Sequence, residues 1–531
     1  MKKLVAMLLC LAMVLGMTAC GAKTEAPADA TEPSTLPASY EDLEQVQEGV
    51  EDVDFADTTI QYKEHIVIGS DAALVTLDPH STPSTPTADY TMMVYDRLIN
   101  YDELKMEFQP ELATEWTWID DVTLELKLRD DVVFSDGTKM TAEDVVFSYG
   151  RMQNDATIQA KIASMDKIEA VDDYTIRFTL KEPNMDFLFS ISTYYMCIVS
   201  KAACEADPEN GYKVTTGAWV VEEFVPSDHY TLVHNEYYWG QIPVTQKITV
   251  RYMAEASARL IALQNGELDI CLRVSEEEAV YAQEDPNILL TIIPANTCIY
   301  FAFDTSEGPG ADYNFRMALA HCLNKEDIIL AACNGYGQPA VSNWGFRTYG
   351  YDDSFGDYPY DLELAKEYLA KSEYDTINVI VRGSKTRDVN ALTVIQEQAR
   401  QIGLTINIEG VENANLSDQT KFDNHTHEAV VYSYGWSTYG DDSRMPFTAT
   451  NVNKAHVEDQ EIIDLINAAV KEPDEAKRKE MYAQVQLINH ENGYYLPLFY
   501  SVIFQGMNKD LQGAIWGSGI NDFTYACVPI K

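Results

Sequence analysis

Between Val122 and Arg129 the chain reads Val-Thr-Leu-Glu-Leu-Lys-Leu-Arg, with an apolar side chain at every second position. A period of two predicts a strand buried on one face. A turn and a helix follow at once. Ser135-Asp136-Gly137-Thr138 places glycine where a tight turn needs a permissive backbone. Thr141-Ala142-Glu143-Asp144 then supplies a hydroxyl cap and acids for the first turn of a helix. The same alternation of elements recurs along the chain. Ile66 to Ile68 predicts a strand ending at Gly69, and Ile176, Phe178 and Leu180 alternate in another. A helix over Ser257 to Leu263, stopped by Gly266, leads into a strand at Leu268-Asp269-Ile270. Asp361 caps a helix to about Lys371, followed by a strand from Ile377 to Val381, a helix from Val389 to Gln401 ended by Gly403, and a strand from Leu404 to Ile408. Two amphipathic helices, Asp459 to Lys471 and Asp474 to Asn489, come near the end. Helix and strand repeated in this order predict an α/β fold with partly parallel sheets.

The length of 531 residues suits two to four domains, and 46% hydrophobic residues are enough for real cores. Lys and Arg total 38 against 84 for Asp and Glu, a formal net charge of -46. A polyanion would be repelled by such a surface, so nucleic acid is excluded as a partner. At the N-terminus, Lys2 and Lys3 precede an uncharged apolar run from Leu4 to Gly16. That run is too short for a membrane span of about 20 residues and has the length of a signal peptide. It ends at Thr18-Ala19-Cys20-Gly21, which resembles a bacterial lipobox, so residues 1–19 read as a signal peptide and Cys20 as the lipidated residue. Residues 20–61 are rich in Ala, Thr, Pro and acids without an apolar period, and read as a disordered tether. The remaining cysteines, Cys197, Cys204, Cys271, Cys298, Cys322, Cys333 and Cys527, are dispersed and contain no Cys-x-x-Cys. They argue against a disulfide framework or a zinc ribbon.

Catalytic signatures are missing: the chain has no His-Glu-x-x-His, no Gly-x-Ser-x-Gly and no P-loop. No catalytic residue, resident metal or cofactor is expected. His425-Thr426-His427 lacks a nearby third ligand, Gly335-Tyr336-Gly337 reads as a loop, and Asp352, Asp353 and Asp357 lack calcium-loop spacing. Aromatic residues in glycine-rich loops stand out instead. They include Trp219 after Gly217, Tyr237-Tyr238-Trp239-Gly240, and Tyr434-Gly435-Trp436-Ser437-Thr438-Tyr439. Broad apolar faces with polar tips suit a pocket for varied ligands.

One long segment carries a family resemblance. Leu124 to Ser148, with its Asp-Gly-Thr turn and Thr-Ala-Glu-Asp-Val helix start, is similar to the hallmark of the family 5 solute-binding proteins of peptide and nickel type ABC transporters. Tyr95 to Ile99, Pro110 to Ala113, Leu232 to Gly240, Ala258 to Ile270, Phe315 to Ala320 and Tyr495 to Leu498 fall in the family's order. The resemblance implies a two-lobed, type II periplasmic-binding-protein-like α/β fold that closes on ligand about a hinge. Lobe I would comprise 62–100, 215–299 and 498–531, with an inserted subdomain at 101–214, and lobe II would span 300–497. It implies binding without catalysis, with an oligopeptide or dipeptide as ligand and permease subunits of an ABC importer as partners. The protein would be held on the outer face of the cytoplasmic membrane by its N-terminal lipid. The same scaffold also serves nickel chelates, oligosaccharides or a signalling partner.

By the same resemblance, Arg382 takes the place of an arginine that pairs with the ligand carboxylate, and Trp436 that of a cleft tryptophan. Where peptide binders carry an aspartate for the ligand amine, this chain has Tyr439, with Asp441 and Asp442 following. Trp219, Tyr439, Asp441 and Asp442 complete the expected ligand-binding set.

Overall fold

The computed structural model describes residue 53 and residues 59–81, 84–102, 105–155, 158–424, 426–436, 446–448, 452–517 and 521–530. Cys20, His425, Tyr439, Asp441 and Asp442 lie outside the described residues, as do residues 1–52 and 54–58.

One long sheet runs through the described body. From one edge its strands are Thr405–Val411, Thr376–Arg382, Ala429–Gly435, Ile288–Phe303, Tyr495–Asn508, Ile270–Val274, His65–Ser70, Lys247–Tyr252, His229–His234 and Trp219–Val225. Two strands hold its halves together. Ile288–Phe303 and Tyr495–Asn508 pair antiparallel along nearly their whole length, with register shifts between Pro294 and Cys298 and between Ile299 and Tyr300. On the near side of that break Tyr495–Asn508 pairs with Ile270–Val274 of one half, and beyond it Ile288–Phe303 pairs with Ala429–Gly435 of the other. Each half is an α/β lobe of a type II binding-protein fold. His65–Ser70 lies parallel to both of its neighbours, and Thr376–Arg382 lies parallel to both of its own.

Local signals produce these elements where the chain predicted them. The strand Thr123–Leu128 buries Leu124, Leu126 and Leu128 and turns Glu125 and Lys127 outward. It joins Ala113–Asp120, Met165–Asp172 and Thr175–Leu180 in a separate four-stranded antiparallel sheet. Gly137 takes φ +86° in the turn, and Asp144 accepts from the Thr141 backbone N–H at 2.8 Å to start the helix Ala142–Gln153. Asp361, Asp459 and Asp474 each accept from two backbone N–H groups of the helix they precede. Gly403 ends Thr386–Ile402 at φ +92°. The strand expected at Leu268 begins at Ile270. The carboxylate of Asp269 accepts from the Val67 backbone N–H at 2.9 Å and from Lys63 Nζ at 2.8 Å.

The segment 101–214 has its own core, built on Leu126, Phe178, Val145 and Tyr149. It also reaches the second lobe. Phe189 packs in that lobe's core beside Tyr349, and Tyr482 donates from its hydroxyl to Asp186 at 3.2 Å. Among the described residues no helix is long and apolar enough to cross a membrane. All seven described cysteines are buried free thiols.

Candidate functional site

In open parallel sheets the carboxyl ends of the strands face the binding crevice. In the second lobe, Thr376–Arg382 and Ala429–Gly435 run parallel and adjacent, with Val381 level with Val431. Arg382 and Trp436 therefore leave the same edge of the sheet. Arg382 is half-buried, and its Nε finds no acceptor among the described residues.

Trp436 is held by its backbone. Its N–H donates to Asn296 O at 2.8 Å, and its carbonyl accepts from Asn296 Nδ2 at 3.0 Å. Asn296 sits in the crossing strand, inside the register break. Its Oδ1 accepts from Arg347 N–H at 2.9 Å, which fixes the loop carrying Trp344. A Cβ on Gly345 would meet Asn296 Oδ1 at 2.2 Å, so only glycine allows this approach. The consequence is an aromatic shelf. The rings of Trp344 and Trp436 stack with centroids 6.0 Å apart, and Tyr434 meets Trp436 edge-on at 5.0 Å. Both indoles are buried, yet neither Nε1–H has an acceptor among the described residues. An unmet buried donor costs about 1–3 kcal/mol, so these two mark a place where an acceptor is missing.

Trp219 has a different place from the one expected. It is 0% exposed in the core of the first lobe, and its Nε1 donates to Thr524 O at 3.0 Å, so no face of it is open to a ligand here. Trp239 likewise donates to Asp96 at 3.0 Å beneath the Arg129 guanidinium. Glycine-flanked tryptophans are thus partly structural, and the chain alone could not sort them.

The first lobe contributes groups that sequence reasoning missed. Asp71 follows the strand His65–Ser70, and Arg273 lies near the end of Ile270–Val274. Arg273 Nε donates to Asp71 Oδ1, and Nη1 stands 3.8 Å from Asp89 Oδ2. Arg273 adopts φ +51°, a left-handed conformation rare for a bulky residue. Its backbone is over-determined: the N–H donates to Gln505 Oε1 at 2.9 Å and the carbonyl accepts from Arg259 Nη2 at 3.2 Å. Arg273, Glu276, Glu277, Val502 and Phe504 line a recess of about 320 Å³. Burial holds the Glu276 carboxyl above its ordinary range, against the opposing pull of Arg387. The signal that could have found Arg273 was its scarcity as a cation in so acidic a chain.

His427 does gain further potential ligands: Asp304 and His456 bring donor atoms within 4.8 Å of one another and of its own. The ring nitrogens already face oxygen atoms of the protein. His427 faces the carbonyls of Gln419 and Lys454 at 3.1 and 3.0 Å, and His456 faces Lys421 O at 3.0 Å and Asp304 Oδ2 at 2.9 Å. Burial opposes the charge on Asp304, but hydrogen bonds from His456 and Ser306 bring its carboxyl down to about 2. The cluster therefore reads as a buried carboxylate–imidazole contact tying loops together, since a metal would have to displace these neighbours.

Known proteins share this architecture. The chain is 26% identical over 468 residues to "Heme-binding protein A" of Haemophilus influenzae, covering 80% of this chain and 85% of that protein. It is 24% identical over 491 residues to the "Probable D,D-dipeptide-binding periplasmic protein DdpA" of Escherichia coli, covering 86% and 92%. The solved structure of the ABC transporter-associated periplasmic binding protein DppA of Helicobacter pylori, in complex with the peptide STSA, superposes with a TM-score of 0.71 at 23% identity, over 89% of this chain and 99% of that one. Residues 107–456 match the model of "Bacterial extracellular solute-binding proteins, family 5 Middle". With the two-lobed sheet, the crossing strands and this match together, the chain belongs to family 5 of the bacterial extracellular solute-binding proteins.

Proposed function

We propose that this chain is the lipid-anchored receptor of an ABC importer, tethered through Cys20, that captures peptides between its lobes and delivers them to the permease. The observation that carries the peptide reading is a pair of N–H groups without acceptors among the described residues at one edge of the second lobe's sheet: Trp436 Nε1 and Arg382 Nε. An extended peptide is rich in carbonyl acceptors and ends in a carboxylate, which a guanidinium can take as a charge-assisted pair. The aromatic shelf adds apolar area without demanding one side chain, which suits tolerance of sequence. The relative whose name records D,D-dipeptide binding and the neighbour crystallised with STSA support the same ligand class.

Ligand drives closure only through contacts it makes in the closed state, and the two crossing strands are the natural pivot. Residues 62–100, 215–299 and 498–531 would move as one lobe against 300–497. Calorimetry against a pool of tripeptides tests the reading. Micromolar or tighter binding that weakens severalfold in Arg382→Ala is expected. Saturable binding of a metal chelate or an oligosaccharide with no response to peptides would overturn it.

A further inference from the structure

Asp89 presents a problem that the fold does not solve internally. It lies on the helix Thr85–Val94 and is 3% exposed. Its Oδ1 accepts from the backbone N–H and the side-chain amide of Asn521, at 3.0 and 3.2 Å. Its Oδ2 is buried and has no hydrogen-bond donor among the described residues. The nearest cation, Arg273, stands 3.8 Å away with its Nε committed to Asp71. One guanidinium thus faces two carboxylates, leaving one negative charge uncompensated in a buried place, where an unpaired charge is expensive.

Beside Asp89 is a slot of about 10 Å³, bordered by Ser70, Ala72, Tyr230, Tyr252 and the Asp228–His229 pair, whose members meet at 2.6 Å. That is room for one water-sized group. We propose that this slot receives a primary ammonium group of the bound solute, with Asp89 as its counter-ion. This deepens the peptide reading and rests on it for the identity of the solute, because a peptide carries such a group at its amino end or on a lysine. An ammonium has the size of a water and brings the charge that a water lacks. A metal ion is a poorer guest, since it takes about six oxygens and Asp89 offers one free oxygen. The location also fits. Ser70 ends a strand of the parallel set, and Arg273, which borders the 320 Å³ recess, points its guanidinium at the same two acids.

The test is calorimetry of the full chain with three probes: a pool of tripeptides with free amino ends, the same pool N-acetylated, and methylammonium chloride. The wild-type chain should prefer the free-amine pool by about tenfold or more. Asp89→Asn, nearly isosteric, should lose that preference while still binding the acetylated pool. Asp71→Asn is the second variant. It frees Arg273 to pair with Asp89 and should weaken the preference without touching the slot. Methylammonium should raise the melting temperature of the wild-type chain and not of Asp89→Asn. Equal binding of the free-amine pool by wild type and Asp89→Asn overturns the proposal, as does equal affinity of the wild type for the two pools. If neither pool binds any variant, the peptide reading fails. Methylammonium then decides the slot alone: stabilisation that depends on Asp89 sustains it, and none overturns it.

Discussion

Asn296 holds both backbone polar groups of Trp436, 140 residues further along the chain, while its side-chain oxygen accepts from Arg347. One amide in the strand crossing thereby sets the position of two tryptophan loops. Asn296→Ala should orphan the Trp436 carbonyl and the Arg347 N–H together, costing about 2–4 kcal/mol. Urea unfolding of the free protein measures that loss. Calorimetry with the tripeptide pool should show a larger loss of binding than Asn→Ala changes elsewhere in the lobe.

Gly345→Ala attacks the same junction from the other side. The added methyl would sit 2.2 Å from Asn296 Oδ1, against the amide of a side chain that is buried and held by its own hydrogen bonds. A destabilisation of about 1–3 kcal/mol is expected. A melting temperature equal to the wild-type value would show that the loop can yield.

The paired indoles separate stability from binding. Trp436→Phe keeps an aromatic face and deletes a donor that has no acceptor among the described residues, while Trp344→Phe, at a residue 0% exposed, serves as the control for packing. If a ligand supplies the acceptor, Trp436→Phe should lose about tenfold in affinity, in keeping with the worth of a buried hydrogen bond, and Trp344→Phe should not. The ligand-induced rise in melting temperature, measured against each variant's own unliganded value, checks this.

Asp89 gives the protein a pH dependence of definite sign. Burial, offset in part by Arg273 and by hydrogen bonds from Asn521, raises its carboxyl from 3.8 to about 6, with Asp71 adding to the rise. The folded state therefore holds the proton more tightly than the unfolded chain. Its stabilisation is complete below about pH 4 and is lost as pH rises through 6, on the order of 3 kcal/mol in all. Unfolding free energies at pH 5 and pH 8 should differ less in Asp89→Asn than in wild type.

His456→Ala should remove a hydrogen-bond partner of the buried Asp304 carboxylate, a loss of about 1–3 kcal/mol measured by urea unfolding. Chelators should leave the wild-type melting temperature unchanged, because His456 and Asp304 already meet at 2.9 Å. A chelator-sensitive transition would contradict that assignment.

The chain's own pattern went furthest where the deciding contacts are local. Asp361, Asp459 and Asp474 were readable as caps because a capping carboxylate meets N–H groups two and three residues ahead. The alternation from Val122 to Leu128 was readable because a strand shows its faces in strict turn. Leu268-Asp269 looked like the start of a strand, but the Asp269 carboxylate reaches across to Val67 and Lys63, and no local pattern encodes those partners.

Candidate site residues divide along the same line. Arg382 and Trp436 are carried over by resemblance, and the parallel register of their strands puts them on one edge. Trp219 lies in the first lobe's core instead, because a tryptophan beside glycine reads alike in a core and in a crevice. Arg273 and Asp89 stand in no recognisable motif, and their meeting depends on packing a helix against the end of a distant strand. Helix caps, strand alternation and the family pattern are legible along the chain because each is a property of spacing within a few residues or of one colinear series. The tertiary structure alone decided which buried donors and carboxylates lack partners. That is a matter of which atoms the packed sheet and its crossing strands bring within about 3 Å, the reach of a hydrogen bond.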